Sequence, residues 1–270
     1  MERKEYVGKD GLLHCSVCGK AVERIIEMPE LFSSGKRKKR KVRFLCSCEI
    51  AEQKKMEKYQ KFEEEQRRLG CLDGLNIIDK NLRKARFDNY EVTEDNRKGY
   101  VFAKKYVENF NVMLKKNQGI MFYGNPGTGK SYTAAAIASE LQKNLHTVLM
   151  TSFVKVLQEL GNFDKKYDEQ IEKLNWPKLL ILDDFGSERT TDFAVEKLYN
   201  VIDGRYRSGK PLIITTNVEF GEMKTCKDMR YRRIYDRIFE MCFPVKIDGL
   251  SWRKKEAVAR SDYINKMMEG

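Results

Sequence analysis

Long apolar runs are missing from this sequence. No stretch approaches the ~18 consecutive apolar residues that a membrane-spanning helix requires, so no such helix is expected. The chain begins MERKEY with no apolar segment behind it, and no secretory leader is expected. Internal repeats are absent as well. A disulfide framework is also excluded. There are seven cysteines, an odd number. Two tight pairs hold most of them and Cys71, Cys226 and Cys242 are scattered. That usage suits a reducing compartment and a metal site.

Charge is what the chain has in abundance. Of its 270 residues 41% are hydrophobic and 34% charged, enough for a core beneath a very polar surface. The length suits one large domain, or a standard domain with a small one. The net charge is +12 and the pI about 9.2. That balance favours an acidic partner, nucleic acid above all, although lysine-rich surfaces also serve solubility alone.

The texture changes along the chain. Residues 1–50 hold the cysteine pairs and a basic run. Residues 49–69, EIAEQKKMEKYQKFEEEQRRL, lack Gly and Pro and predict a helix. Its large apolar residues are Ile50, Met56, Tyr59, Phe62 and Leu69, too few for a strong apolar face, and Glu57 can pair with Lys61. A solvated connector fits best. Gly70 and Gly74 break the pattern. From about residue 81 helical segments alternate with GIMFYG, TVLMTS, KLLILDD and PLIITTN, short apolar runs that read as buried parallel strands. The expected organisation is a small zinc-binding domain over 1–50, a helical linker over 51–80, and an α/β domain over 81–270.

GNPGTGKS carries the chemistry. Gly124, Asn125, Pro126, Gly127, Thr128, Gly129, Lys130 and Ser131 fit G-x-x-x-x-G-K-[ST], with Tyr132 next, between an apolar strand and an alanine-rich helix. The glycines let the backbone curl so that its N–H groups face phosphates, and the helix N-terminus adds partial positive charge. Lys130 would reach the β and γ phosphates, and the Ser131 hydroxyl would ligate Mg²⁺. KLLILDDFGSE ends its apolar run in Asp183 and Asp184. The first carboxylate suits Mg²⁺ and the second suits the attacking water. Asn217, closing PLIITTN, could hold that water without adding negative charge, although a capping or turn Asn is the commoner case. In RYRRIYDRIFEMCF, Arg230, Arg233 and Arg237 share one helical face. One of them could reach a neighbouring subunit's nucleotide; a solvated basic face would look the same. Arg253 follows a plausible N-cap, Ser251, where a cation is poorly placed for the helix dipole.

Together, ARFDNY, GNPGTGKS, LLILDDFGSE, LYNVIDGRY, LIITTN, RIYDRI and GLSWR resemble the AAA+ ATPases of the DnaC/IstB type over roughly residues 80–260. The resemblance implies a P-loop core of parallel strands flanked by helices, and ATP bound between subunits of a homo-oligomer. By it, residues 124–131 are the Walker A loop, Asp183 and Asp184 the Walker B pair, Asn217 sensor 1 and Arg253 sensor 2. Arg237 matches the arginine finger, with Arg233 the alternative. Phe87 and Tyr90 lie near the adenine, and the helical lid of many relatives is missing. The function implied is loading a replicative DNA helicase, held by the N-terminal region, onto single-stranded DNA in the cytoplasm of a bacterium or phage-infected cell. A transposition helper on duplex DNA is the alternative, and a DNA-binding adaptor with a purely structural nucleotide a third.

Cys15-x-x-Cys18 and Cys46-x-Cys48 supply four thiolates, the donor set of tetrahedral Zn²⁺. The metal would be structural, with His14 a bystander. Between the pairs, Lys36 to Arg43 carries seven bases and no acid. It reads either as a grip on nucleic-acid phosphate or as a solubilising loop.

Overall fold

A computed structural model describes residues 5–29, 37–70, 82–161, 167–186, 191–249 and 251–268. Cys71 and Lys36 lie outside the described residues. Two compact units emerge, Met1–Glu63 and Glu64–Gly270.

The first unit holds two antiparallel ribbons. One pairs β1 (Glu5–Val7) with β2 (Leu13–Cys15), the other β3 (Glu23–Pro29) with β4 (Arg37–Arg43). The basic run is therefore a strand from Arg37 onward. The buried core consists of Cys15, Val22 and Cys46, with Leu13, Cys18 and Cys48 packed against it. So little apolar surface cannot offset the conformational entropy of folding, which is the usual setting for a structural metal. Helix α1 (Ser47–Gly70) begins here and crosses the unit boundary. Glu49 accepts a hydrogen bond from the Cys46 N–H at 2.9 Å and satisfies the helix start. Ile50, Met56 and Tyr59 are exposed, as the thin apolar pattern predicts.

The second unit is a parallel five-stranded sheet in the order β6-β7-β8-β5-β9. Its strands are β5 (Gly119–Tyr123), β6 (Val148–Ser152), β7 (Leu179–Phe185), β8 (Leu212–Thr216) and β9 (Cys242–Lys246). Helices α2 (Arg97–Glu108), α3 (Phe110–Lys115), α4 (Lys130–Lys143), α5 (Phe153–Leu160), α6 (Tyr167–Asn175), α7 (Asp192–Arg207), α8 (Phe220–Lys224), α9 (Met229–Met241) and α10 (Trp252–Met268) complete it. Strand residues alternate between two cores. Ile120, Phe122, Leu179 and Ile181 face α2 and α4; Met121, Leu180, Leu182 and Ile214 face α5, α7 and α9. Burial on both faces explains why these strands are unbroken apolar runs. Strand β9 was not expected. It lies on the sheet edge, contains Pro244, and exposes Phe243 and Lys246, so it lacks the apolar signature of its neighbours.

Arg205 is fully buried. Its guanidinium donates to the carbonyls of Asn175, Pro177, Lys178 and Pro211, tying the segment before β8 to the entry of β7. Burial pulls its pKa down to about 9. Among the described residues no helix is long and apolar enough to cross a membrane.

Candidate nucleotide site and cysteine cluster

In an open parallel sheet, ligands gather at the carboxyl ends of the strands. Here the loop from β5 to α4, the end of β7 and the end of β8 meet around one cleft of about 470 Å³. Its wall includes Pro126, Lys130, Ser131, Asp183, Asp184 and Asn217, with Arg253 from α10 closing it.

The loop's shape follows from its glycines. Gly127 and Gly129 have φ of 81° and 96°, values that disfavour any Cβ. A Cβ on Gly127 would also collide with the Ser251 hydroxyl. Gly129 is the N-cap of α4, so the first turn's unpaired N–H groups face the cleft. Behind it Ala134, Ala135, Ala136 and Ala138 are buried, and their small size lets α4 lie close against the sheet. Lys130 is buried, donating to the carbonyls of Gly124 at 2.9 Å and Asn125 at 2.6 Å. Burial lowers its pKa, opposed by the nearby Asp184 and Asp183 carboxylates. The Thr128 hydroxyl pins the loop by donating to the Asn125 carbonyl at 2.9 Å.

Asp183 and Asp184 are set by a register shift in the β7–β8 pairing between Leu182 and Phe185, with Asp184 at φ 57°. Such a conformation is uncommon for a residue with a Cβ and concentrates at functional sites. Thr215 holds both acids. Its hydroxyl donates to Asp183 Oδ1 at 2.6 Å and accepts from the Asp184 N–H at 2.9 Å. Asn217 Nδ2 donates to Asp184 Oδ1 at 3.2 Å, so the amide and the second carboxylate lie side by side.

A second cavity of about 280 Å³ adjoins the loop, lined by Asn89, Tyr90, Asn96, Gly129, Tyr132 and Trp252 among others. Tyr90 donates or accepts across 2.7 Å to the Thr133 hydroxyl, and the Tyr132 hydroxyl donates to Asn89 Oδ1 at 2.7 Å. Phe87 lies deeper, buried in the core with its ring edge-on to Tyr100. Trp252 borders both cavities, and its backbone N–H donates to the Gly127 carbonyl at 2.9 Å. Thr215, Asn89 and Trp252 lie in motifs read from the sequence but were given no site role there. For Thr215 a signal existed: a hydroxyl in an apolar strand two residues before Asn217.

Arg233 and Arg237 lie on α9 and line neither cavity. Arg237 stacks over Tyr206 at 4.2 Å and pairs with Asp203 at 3.4 Å. Arg233 is exposed, without an acidic partner among the described residues. Arg230 pairs with Asp228 and Asp192.

In the first unit the Sγ atoms of Cys15, Cys18, Cys46 and Cys48 all lie within 4.8 Å of one another. Four sulfurs about 2.3 Å from a tetrahedral Zn²⁺ would stand about 3.8 Å apart, so the cluster fits that ion. The N–H groups of Cys18 and Val17 draw the Cys15 thiol down to about 6, favouring the thiolate a metal needs. The hydrogen bond to Cys46 and then burial push Cys48 up to about 12, and a bound cation would favour its thiolate instead. His14 is not part of the cluster, since its ring nitrogens engage the Gly19 carbonyl and Asp10. Cys242 is buried and donates to the Leu212 carbonyl, while Cys226 is half-buried.

Residues 80–259 match the family described as IstB-like ATP binding protein. The chain is 23% identical over 185 residues to the replicative helicase loader DnaI of Bacillus subtilis, covering 64% of this chain and 59% of that protein. It is 26% identical over 154 residues to an ATP-binding protein of an insertion sequence in Mycobacterium tuberculosis, covering 55% and 61%. The chain thus spans about three-fifths of the length of the curated relatives it matches. A crystal structure of DnaI superposes with a TM-score of 0.56 at 24% identity, covering 64% of this chain and 96% of that one. At that identity the likeness shows the fold.

Proposed function

Because the chain belongs to the IstB-like ATP-binding family, we propose that it is an AAA+ ATPase that loads a replicative DNA helicase onto single-stranded DNA. One observation carries the catalytic part: the loop holding Lys130 and Ser131 shares a single cleft with Asp183, Asp184, Asn217 and Arg253. The loop N–H groups and Lys130 bind and orient the triphosphate. Ser131 and Asp183 would hold Mg²⁺, which supplies charge neutralisation on the phosphates. Asp184 accepts the proton of the attacking water and Asn217 fixes its position. Arg253 steadies the γ phosphate from α10. The adenine enters the cavity beside Tyr90 and Tyr132. Arg237, or Arg233, completes the site of the adjacent subunit in a homo-oligomer, where such a guanidinium is worth roughly 10³–10⁵ in rate.

The loading role draws on the DnaI relative. In this reading residues 1–50 form the zinc-bearing helicase-binding domain, 51–80 a helical linker, and 81–270 the motor, with ATP binding driving assembly on DNA and hydrolysis reversing it. Size measurement with ATP, single-stranded DNA and a hexameric replicative helicase tests it. A ternary complex that depends on ATP is expected. Purified protein indifferent to all these mixtures would overturn it.

The insertion-sequence relative, at comparable identity, favours a second reading. A transposition helper would assemble on duplex DNA with a transposase and ignore the helicase.

A further inference from the structure

The β3–β4 ribbon sorts its charges by face. Paired residues of an antiparallel ladder share a face, and alternate residues switch. The register Glu23↔Arg43, Ile25↔Lys41 and Glu27↔Lys39 puts Glu23 and Glu27 on one side. On that side Arg43, Lys41 and Lys39 have partners, while Arg37 at the ribbon's end and Ile25 are exposed. Arg43 pairs with Glu5 at 2.6 Å and Glu49 at 3.0 Å, and Lys39 with Glu27 at 3.8 Å. Lys41 donates to the Gly11 carbonyl at 2.6 Å, and Glu23 accepts from the Leu13 N–H.

The other side holds Arg24↔Val42, Ile26↔Arg40 and Met28↔Lys38, and no acid. Arg24, Lys38 and Arg40 are exposed and have no acidic partner among the described residues. Apolar groups lie between them: Ile26 is half-buried, Met28 is 46% exposed, and Phe44, under the Arg24 guanidinium, is 39% exposed. This arrangement carries two costs. Like charges repel with nothing to balance them, and apolar side chains stay wet on a surface where their burial would be favourable.

One class of partner relieves both. We propose that this face of the β3–β4 ribbon is a binding surface for single-stranded nucleic acid, its cations on phosphates and its apolar groups against unstacked bases. An unpaired strand offers a phosphate row beside open base faces. A duplex hides those faces in its stack and would use only the cations. The surface belongs to the first unit and the ATP cleft to the second, and occupancy of the surface does not require nucleotide.

The test uses the full zinc-loaded chain without nucleotide, titrated against fluorescent oligo(dT), oligo(rU) and a duplex of equal length. Zinc content verifies each variant's fold. Arg24→Ala/Lys38→Ala/Arg40→Ala should weaken oligo(dT) binding at least about tenfold and flatten the slope of log K against log salt by about 2, three phosphates at ~0.7 each. Arg37→Ala/Lys39→Ala/Lys41→Ala removes the same charge from the opposite face and should cost less than about threefold. Equal losses in the two triples, or no loss in the first, would overturn the proposal. So would a duplex bound as tightly as oligo(dT). If the first triple fails to retain zinc, Arg40→Gln decides: a loss of about threefold with a shallower slope supports the surface, and unchanged binding refutes it. The oligo(rU) arm tells an RNA ligand from a DNA ligand within the same chemistry. Lys130→Ala, made in parallel, should leave this nucleotide-free binding intact, so failure here and failure of ATP-driven assembly can be told apart.

Discussion

Thr215→Val is the sharpest probe of how the cleft is built. Valine keeps the shape of threonine and deletes one hydroxyl. That hydroxyl is 1% exposed at the residue level, donates to Asp183 at 2.6 Å, and accepts the Asp184 N–H at 2.9 Å. Two losses follow. A charge-assisted hydrogen bond to a carboxylate is worth about 1.5–3 kcal/mol, and an unsatisfied buried N–H costs about 1–3 kcal/mol. Asp183 and Asp184 lie at the cleft and can recover part of this from water, so about 2–3 kcal/mol of destabilisation is expected overall. For a unit of this size that is roughly 4–12 °C in Tm. Function should suffer differently. The phosphate loop is untouched, so ATP affinity should change little while turnover falls about tenfold or more, the acids being free to rotate out of line. Thermal melts, ATP titration and steady-state hydrolysis measure the three quantities. Thr215→Ser restores the hydroxyl and should recover most of both effects. A valine variant as stable and active as the parent would refute the bridging role. A serine variant as damaged as valine would count against the hydrogen bonds as the cause, since serine keeps the hydroxyl that makes them.

Arg237→Ala should leave ATP binding within about threefold yet depress turnover by ~10² or more in the assembled form; equal loss of binding and turnover would mark Arg237 as structural through Asp203 and Tyr206. Arg233→Ala run beside it decides which of the two completes the neighbouring site. Zinc removal by a strong chelator should melt the first unit, seen as lost ellipticity and new protease cleavage, while the unit from Glu64 onward keeps its own thermal transition; collapse of both together would contradict their independence. Arg205→Met should destabilise by about 3 kcal/mol or more, since several buried carbonyls lose a charged donor, and a loss of unfolding free energy in urea of less than about 1 kcal/mol would count against the clamp.

The parts of the fold that were legible in sequence are those whose physics is local. A strand buried on both faces must be apolar throughout, so β5, β6, β7 and β8 stood out. The edge strand β9 answers to solvent on one side and did not. The phosphate loop was legible because its backbone conformation demands glycine at fixed spacing. The cysteine pairs were legible because a tetrahedral ion would draw its ligands from two short, closely spaced pairs. The two faces of the basic ribbon were not, because the run is uniform in sequence and only the register with β3 separates satisfied cations from unsatisfied ones.

Thr215 and Arg205 mark where local reading stops. Thr215 meets Asp183 across 32 positions of sequence, and Arg205 reaches Pro177 across 28. Neither pair has a spacing rule, because the separation is set by the helices between the strands and not by the contact. Each instead reflects a general demand: a buried donor or acceptor must find a partner. A hydroxyl amid LIITT and an arginine inside the apolar stripe of α7 are the marks that such a demand leaves. They announce that a partner exists without saying which one. For Thr215 the partner is the Asp183–Asp184 pair, so the residue that aligns the acids at the end of one strand is carried by its neighbour in the sheet, and the geometry of the cleft depends on the β7–β8 ladder staying in register.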